Sequence, residues 1–69
     1  MMRYEIPATA PEIEALIVSL TNRQRQFEGG WLGMSAQERT YRAQRLRETE
    51  DGLTRARARL AELAQAATL

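Results

Sequence analysis

Few residues in this chain are of types that do chemistry. The 69 residues include no histidine and no cysteine, so the commonest general base and every thiolate ligand are missing. The nearest approach to a metal-binding cluster is Glu48, Glu50 and Asp51, whose carboxylates could ligate a hard cation. Three acids within one helical turn point in different directions, which favours a solvated charged face. We therefore predict no catalytic residue, no cofactor and no metal.

Arginine is the second residue type with binding chemistry. The ten positive charges are all arginines, and nine acids leave a net charge of +1. Arginines at helical spacing can bind a phosphate backbone, so a nucleic-acid-binding protein is one alternative function. Acids interleave with them and no aromatic residue alternates with them to stack on bases, which favours an ion-paired helix surface. The arginines concerned are Arg39, Arg42, Arg45, Arg47, Arg55, Arg57 and Arg59.

Trp31, Leu32 and Met34 form an apolar cluster in a glycine-rich segment, where solubility alone would favour polar residues. Trp31 either closes the core by packing on Phe27 and Tyr41, which we favour, or is an anchor for a partner, since tryptophan and arginine are enriched in interface hot spots. The candidate partner-binding residues are Trp31, Leu32, Met34, Arg39 and Arg42.

The elements that position these residues begin with an arm and a helix. Met2, Tyr4 and Ile6 alternate with charged residues, which predicts an extended, half-buried arm over residues 1–10. Thr9 and Glu12 have the spacing of a capping box. Apolar residues at helical spacing then predict an amphipathic helix over about residues 11–28. Gly29 and Gly30 tolerate positive φ and should end it.

A second, longer helix is predicted after a loop at residues 29–35. Ser35 and Glu38 form a clearer capping box, and the helix should run over about residues 36–67. Leu46, Leu53, Leu60 and Ala67 recur every seven residues, as in a coiled coil. The same apolar stripe includes Ala43, Ala56, Leu63 and Ala64. Asp51 and Gly52 are a turn signal that could break this helix, but the unbroken leucine register favours continuity. Asp51 with Arg55, and Glu38 with Arg42, have i,i+4 spacing for ion pairs.

These elements predict an all-α protein, an antiparallel helical hairpin with a coiled-coil-like second helix and an N-terminal arm. The helices should be about 27 and 48 Å long, so the first would reach only to about Leu53 of the second. The later part of the apolar stripe, Leu60, Leu63 and Ala67, would then be uncovered. Either the arm or a second copy must bury that stripe. We expect a homo-oligomer, with self-association through Leu46, Leu53, Leu60 and Leu63.

No apolar run approaches the roughly 20 residues that span a bilayer, and no signal-type stretch follows the first residues. We therefore expect no membrane association and a cytoplasmic location. The expected partner is another protein, because the catalytic residue types are missing and the loop is apolar.

Part of the chain resembles a known group of proteins. The pattern covers about residues 13–53 and comprises Leu20, Arg23, Arg25, Phe27, Trp31, Gly33, Met34, Ser35, Gln37, Glu38, Leu46, Glu50 and Leu53. It resembles the small helical-hairpin proteins encoded in many tailed-phage and prophage genomes. Those proteins usually have Tyr-Pro where this chain has Phe27 and Glu28, and their loop is one residue longer. The resemblance implies a phage setting and a binding role, and it assigns no residue roles. We expect binding to a host or virion protein that results in inhibition or assembly, and a structural virion component is a further alternative.

Overall fold

A computed structural model describes residues 4–67, which form two α-helices. Helix α1 spans Ala10–Glu28 and helix α2 spans Ala36–Ala67. The two helices pack on each other. Arg42, near the start of α2, bonds to main-chain carbonyls at the end of α1, which is the arrangement expected of an antiparallel hairpin. The predicted all-α hairpin is therefore confirmed, with helix bounds within one residue of those expected.

Local signals at the helix ends are confirmed in part. The Ser35 hydroxyl accepts a hydrogen bond of 3.2 Å from the Glu38 amide, as a capping box requires. At the start of α1 the prediction was wrong, because the Thr9 hydroxyl donates to the Glu12 carboxylate at 2.6 Å and makes no bond to a helix amide. Positive φ occurs at Gly30 (74°) and not at Gly29, whose φ is −97°.

Helix α2 is continuous through Gly52, as the leucine register predicted. The glycine is buried, and a Cβ built there would lie 2.9 Å from the Tyr4 ring and 3.0 Å from Leu20. Real Cβ atoms essentially never approach another atom so closely. A close approach of neighbouring groups, and not a turn, accounts for glycine at this position. The predicted ion pair between Asp51 and Arg55 is present at 3.6 Å.

The core between the helices is narrow. Ile13 and Leu20 of α1 are almost completely buried, and so are Thr49, Leu53 and Ala56 of α2. The last three have the four- and three-residue spacing of a coiled-coil seam, and Thr49 satisfies its hydroxyl by donating to the carbonyl of residue 45 at 2.9 Å.

The prediction that α1 covers the apolar stripe of α2 only as far as Leu53 was wrong. Leu53 is 2% exposed and Ala56 is completely buried, so the covered part of the stripe continues past Leu53. Farther along, Leu60 and Leu63 are half-buried.

Residues 4–7 of the arm have no regular secondary structure, and their end is held by Tyr4. The Tyr4 ring lies against Gly52 and near Leu20, its carbonyl accepts a hydrogen bond of 2.8 Å from Arg55, and its hydroxyl accepts one from Arg23. Tyr4 therefore lies beside the middle of both helices, and not over the stripe of α2 that the arm was one candidate to cover. Residues 1–3 of the predicted arm lie outside the described residues.

The acidic group on α2 differs from expectation at one position. Glu50 and Asp51 are exposed, as a solvated face requires, but Glu48 is only 6% exposed. Its carboxylate is paired with Arg45 at 3.4 Å and accepts a hydrogen bond from Gln44. The buried charge is thus compensated by two neighbours on the same helix.

Candidate partner-binding surface at the loop end

The loop that carries the candidate partner-binding residues is fixed to α1 by Trp31. Its indole Nε1 donates a hydrogen bond of 2.7 Å to the carbonyl of Phe27, one of the last carbonyls of α1 that have no partner within the helix. The Met34 amide then bonds to the Trp31 carbonyl at 3.4 Å, and Gly33 adopts a φ of 82°. The loop therefore has a defined turn conformation.

Arg42 fixes the same helix end from α2. Its Nη1 donates to the carbonyl of Gly29 at 2.7 Å and to that of Gln26 at 3.2 Å. A positive charge at a helix C-terminus is also favoured by the helix dipole. The predicted pairing of Arg42 with Glu38 was wrong, because the guanidinium is directed at these carbonyls. Arg42 thus joins α1, the loop and α2.

The favoured interpretation of Trp31, a residue that closes the core against Phe27 and Tyr41, holds only in part. Trp31 is half-buried and bonded within the chain, as a residue that closes the core should be. Tyr41, however, is 60% exposed, and the Arg45 guanidinium lies 5.7 Å from the centroid of its ring. The aromatic residues at this end therefore do not form the single buried plug that we favoured.

An open groove lies at the loop end between the end of α1 and the first turns of α2. Its volume is about 520 Å³, and it has both apolar and polar walls. The residues that line it are Phe27, Met34, Ser35, Gln37, Glu38, Tyr41 and Arg42. At the tip of the loop Leu32 is 97% exposed. Single exposed apolar side chains are common on protein surfaces, so Leu32 marks a candidate contact only together with the apolar wall of the groove.

The candidate residues occupy different environments. Of the partner-binding set, Leu32 and Arg39 are exposed, whereas Trp31, Met34 and Arg42 are half-buried. Of the self-association set, Leu46, Leu60 and Leu63 are half-buried. Leu53 belongs to the chain's own core, so it cannot pack on a second copy unless the hairpin opens.

Several arginines of α2 are engaged within the chain. Arg45 pairs with Glu48 at 3.4 Å, Arg55 with Asp51 at 3.6 Å and Arg59 with Glu62 at 3.1 Å. Arg42 is bonded to the end of α1. Guanidinium groups with carboxylate partners attract phosphate less strongly, so this arrangement weakens the nucleic-acid alternative.

Within residues 4–67 no group of three or more acidic side chains is placed to hold a metal ion. Neither of the two helices described there has the combination of length and apolar character needed to cross a bilayer.

Sequence reasoning missed the cluster around Tyr4. Three separate segments meet there: the arm supplies the phenol ring, α1 supplies Arg23, and α2 supplies Arg55 and Gly52. We call the space left by the missing side chain of Gly52 the notch. Two signals were available: the alternating pattern of the arm, which predicts that one of its faces is half-buried, and a glycine inside a helix, which commonly marks a close packing contact.

No protein-family model, curated protein or solved structure matches this chain. The function is therefore inferred from the surfaces described above.

Proposed function

We propose that this chain is a non-enzymatic interaction protein of phage or prophage type, which binds a host or virion protein through its loop end. The observation that carries the proposal is the exposure of Leu32 (97%) on a loop whose backbone is tied down by Trp31 and Arg42. A loop whose backbone is already ordered loses little further backbone entropy on binding. The adjacent groove beside Met34 and Tyr41 offers further contact area.

The sequence supports a binding role over catalysis, because the chain has no histidine or cysteine to act as base or nucleophile. The proposed setting is the cytoplasm of the host, and the outcome of binding is inhibition or assembly. We also propose self-association through the part of α2 that includes Leu60 and Leu63, since both side chains are only half-buried in one chain.

The test compares two exposed apolar residues. Leu32→Ser removes the exposed apolar side chain at the loop tip. Val18→Ser, the control, removes an apolar side chain of α1 that is 62% exposed and distant in sequence from the loop. Each tagged variant is used to capture proteins from the native host, beside the wild-type chain. A partner retained by wild type and by Val18→Ser but lost by Leu32→Ser, with melting temperatures unchanged, supports the proposal. Equal capture by all three chains contradicts it, and a shift of a DNA or RNA probe that moderate salt abolishes would favour the nucleic-acid alternative.

A further inference from the structure

The Tyr4 ring of the N-terminal arm fills the notch at Gly52. We propose that the notch recognises a tyrosine on an extended segment of another protein, and that the N-terminal arm occupies it as an intramolecular ligand. This inference stands on the contacts of Tyr4 and does not depend on the loop end.

Three features of the notch match three features of a tyrosine residue. The missing side chain at Gly52 leaves room for the ring, which lies 2.9 Å from where a Cβ would be. Arg55 donates to the main-chain carbonyl of Tyr4 at 2.8 Å. Arg23 donates to the hydroxyl, and its guanidinium lies 5.9 Å from the ring centroid. Ring, hydroxyl and backbone are therefore all recognised by groups on the hairpin.

The carbonyl contact also selects the shape of the ligand. A main-chain carbonyl is free to accept from a side chain when its residue is outside a helix, and residues 4–7 have no regular secondary structure. An extended peptide leaves main-chain carbonyls without a backbone partner, whereas a helical carbonyl already accepts one backbone bond and has a single lone pair left. The ligand class is thus an extended, tyrosine-bearing segment.

Residues 4–7 of the arm are attached to the hairpin by few polar contacts. Tyr4, Ile6 and Pro7 are half-buried and Glu5 is exposed, and within residues 4–7 the hydrogen bonds to the hairpin are made by Tyr4. A short flexible tether gives a bound group an effective concentration in the millimolar range. A segment with more contacts than one tyrosine can compete with that concentration. Its apparent dissociation constant is then its intrinsic one divided by the fraction of chains in which the arm is undocked.

The test uses an acetylated and amidated peptide with the sequence of residues 4–10 as the probe. It is titrated into the full-length chain carrying Tyr4→Ala, whose notch is empty, and binding is followed by the amide resonances of Gly52 and Leu20. We expect saturable shifts, at least fivefold weaker binding to the wild-type chain, and at least fivefold weaker binding of a peptide in which the tyrosine is alanine. Tyr41→Ala, which changes an exposed tyrosine elsewhere, is the matched control and should behave as wild type.

Shifts that do not saturate, or that do not depend on the peptide's tyrosine, would overturn the proposal. So would unfolding of the Tyr4→Ala chain, because the arm would then be part of the core and not a ligand. The other possible occupant of the notch is the arm of a second copy, which sedimentation tests. A wild-type dimer that Gly52→Ala abolishes and Leu60→Lys preserves would assign the notch to that arm and overturn the proposal of another protein.

Discussion

Replacing Gly52 by alanine should destabilise the chain when Tyr4 is present and should not destabilise it when Tyr4 is absent. In a helix interior, alanine is favoured over glycine by about 1 kcal/mol. In the wild-type chain the new Cβ would lie 2.9 Å from the Tyr4 ring, so the ring must shift, and we expect it to leave the notch. Losing the packing of a half-buried ring and the bond from Arg55 costs about 2 to 3 kcal/mol together. The net result is a destabilisation of about 1 to 2 kcal/mol.

Without the ring, the same substitution meets only the end of the Leu20 side chain, at 3.0 Å. In the Tyr4→Ala background we therefore expect Gly52→Ala to be neutral or to stabilise by up to about 1 kcal/mol, a coupling of roughly 2 kcal/mol. For a chain of this size, 1 kcal/mol corresponds to about 4 to 8 °C in melting temperature. The measurement is thermal and urea unfolding followed by helical circular dichroism for the four chains of the cycle.

Ala58→Gly is the control for helix propensity, because residue 58 is exposed in the same helix. It should destabilise by about 1 kcal/mol in both backgrounds. If Gly52→Ala changes stability by the same amount and in the same direction with and without Tyr4, the ring does not occupy the notch, and the reasoning about the arm is wrong.

Three further outcomes are expected. Trp31→Ala should destabilise by about 2 kcal/mol by thermal unfolding, less than the 3 to 5 of a fully buried tryptophan because Trp31 is half-buried; a loss within 0.5 kcal/mol would show that its bond to Phe27 holds nothing together. Arg42→Ala should destabilise by about 1 kcal/mol through lost carbonyl bonds, whereas exposed Arg39→Ala should change stability by less than about 0.5 kcal/mol, and equal effects would contradict the capping role. Leu60→Lys should lower the mass found by sedimentation while Ala61→Lys, at the exposed neighbouring position, should not; a monomeric wild-type chain refutes self-association.

The two helices were predictable because their signals are local. The Ser35 hydroxyl and the Glu38 amide are three residues apart, and the periodicity of each helix is visible in a short window. The same holds for the ion pair of Asp51 with Arg55. Interactions of this kind depend on spacing along one element, which the sequence displays directly.

The buried face of α2 was predictable only in part. Leu53 and Ala56 belong to the predicted stripe and are buried, but Thr49, which completes the seam, was not named. A threonine has a hydroxyl that must be satisfied, and here it donates to a carbonyl one turn earlier on the same helix. That local bond makes a polar residue acceptable in a core position without leaving a hydrophobic signal in the sequence.

The notch was not predictable from propensity because its logic is three-dimensional. Gly52 has a cost when α2 is considered alone, and Tyr4 is far from it along the chain. The contact between them exists only after the hairpin has placed Leu20, Arg23 and Arg55 around one point. A rule that scores residues along one element records the cost of the glycine and omits the ring that fills its space.

The narrow core explains why the arm matters to the whole molecule. Thr49, Gly52 and Ala56 are small, so they let the helices and the arm approach closely but bury little apolar area. In a chain whose extents are 52 × 20 × 14 Å, the Tyr4 ring is then a sizeable share of what is packed against the hairpin. A segment that displaces the arm must replace that packing as well as bind. Selectivity for a tyrosine ring follows from this requirement, because a ligand that leaves the notch empty forfeits stability that the resting chain already has.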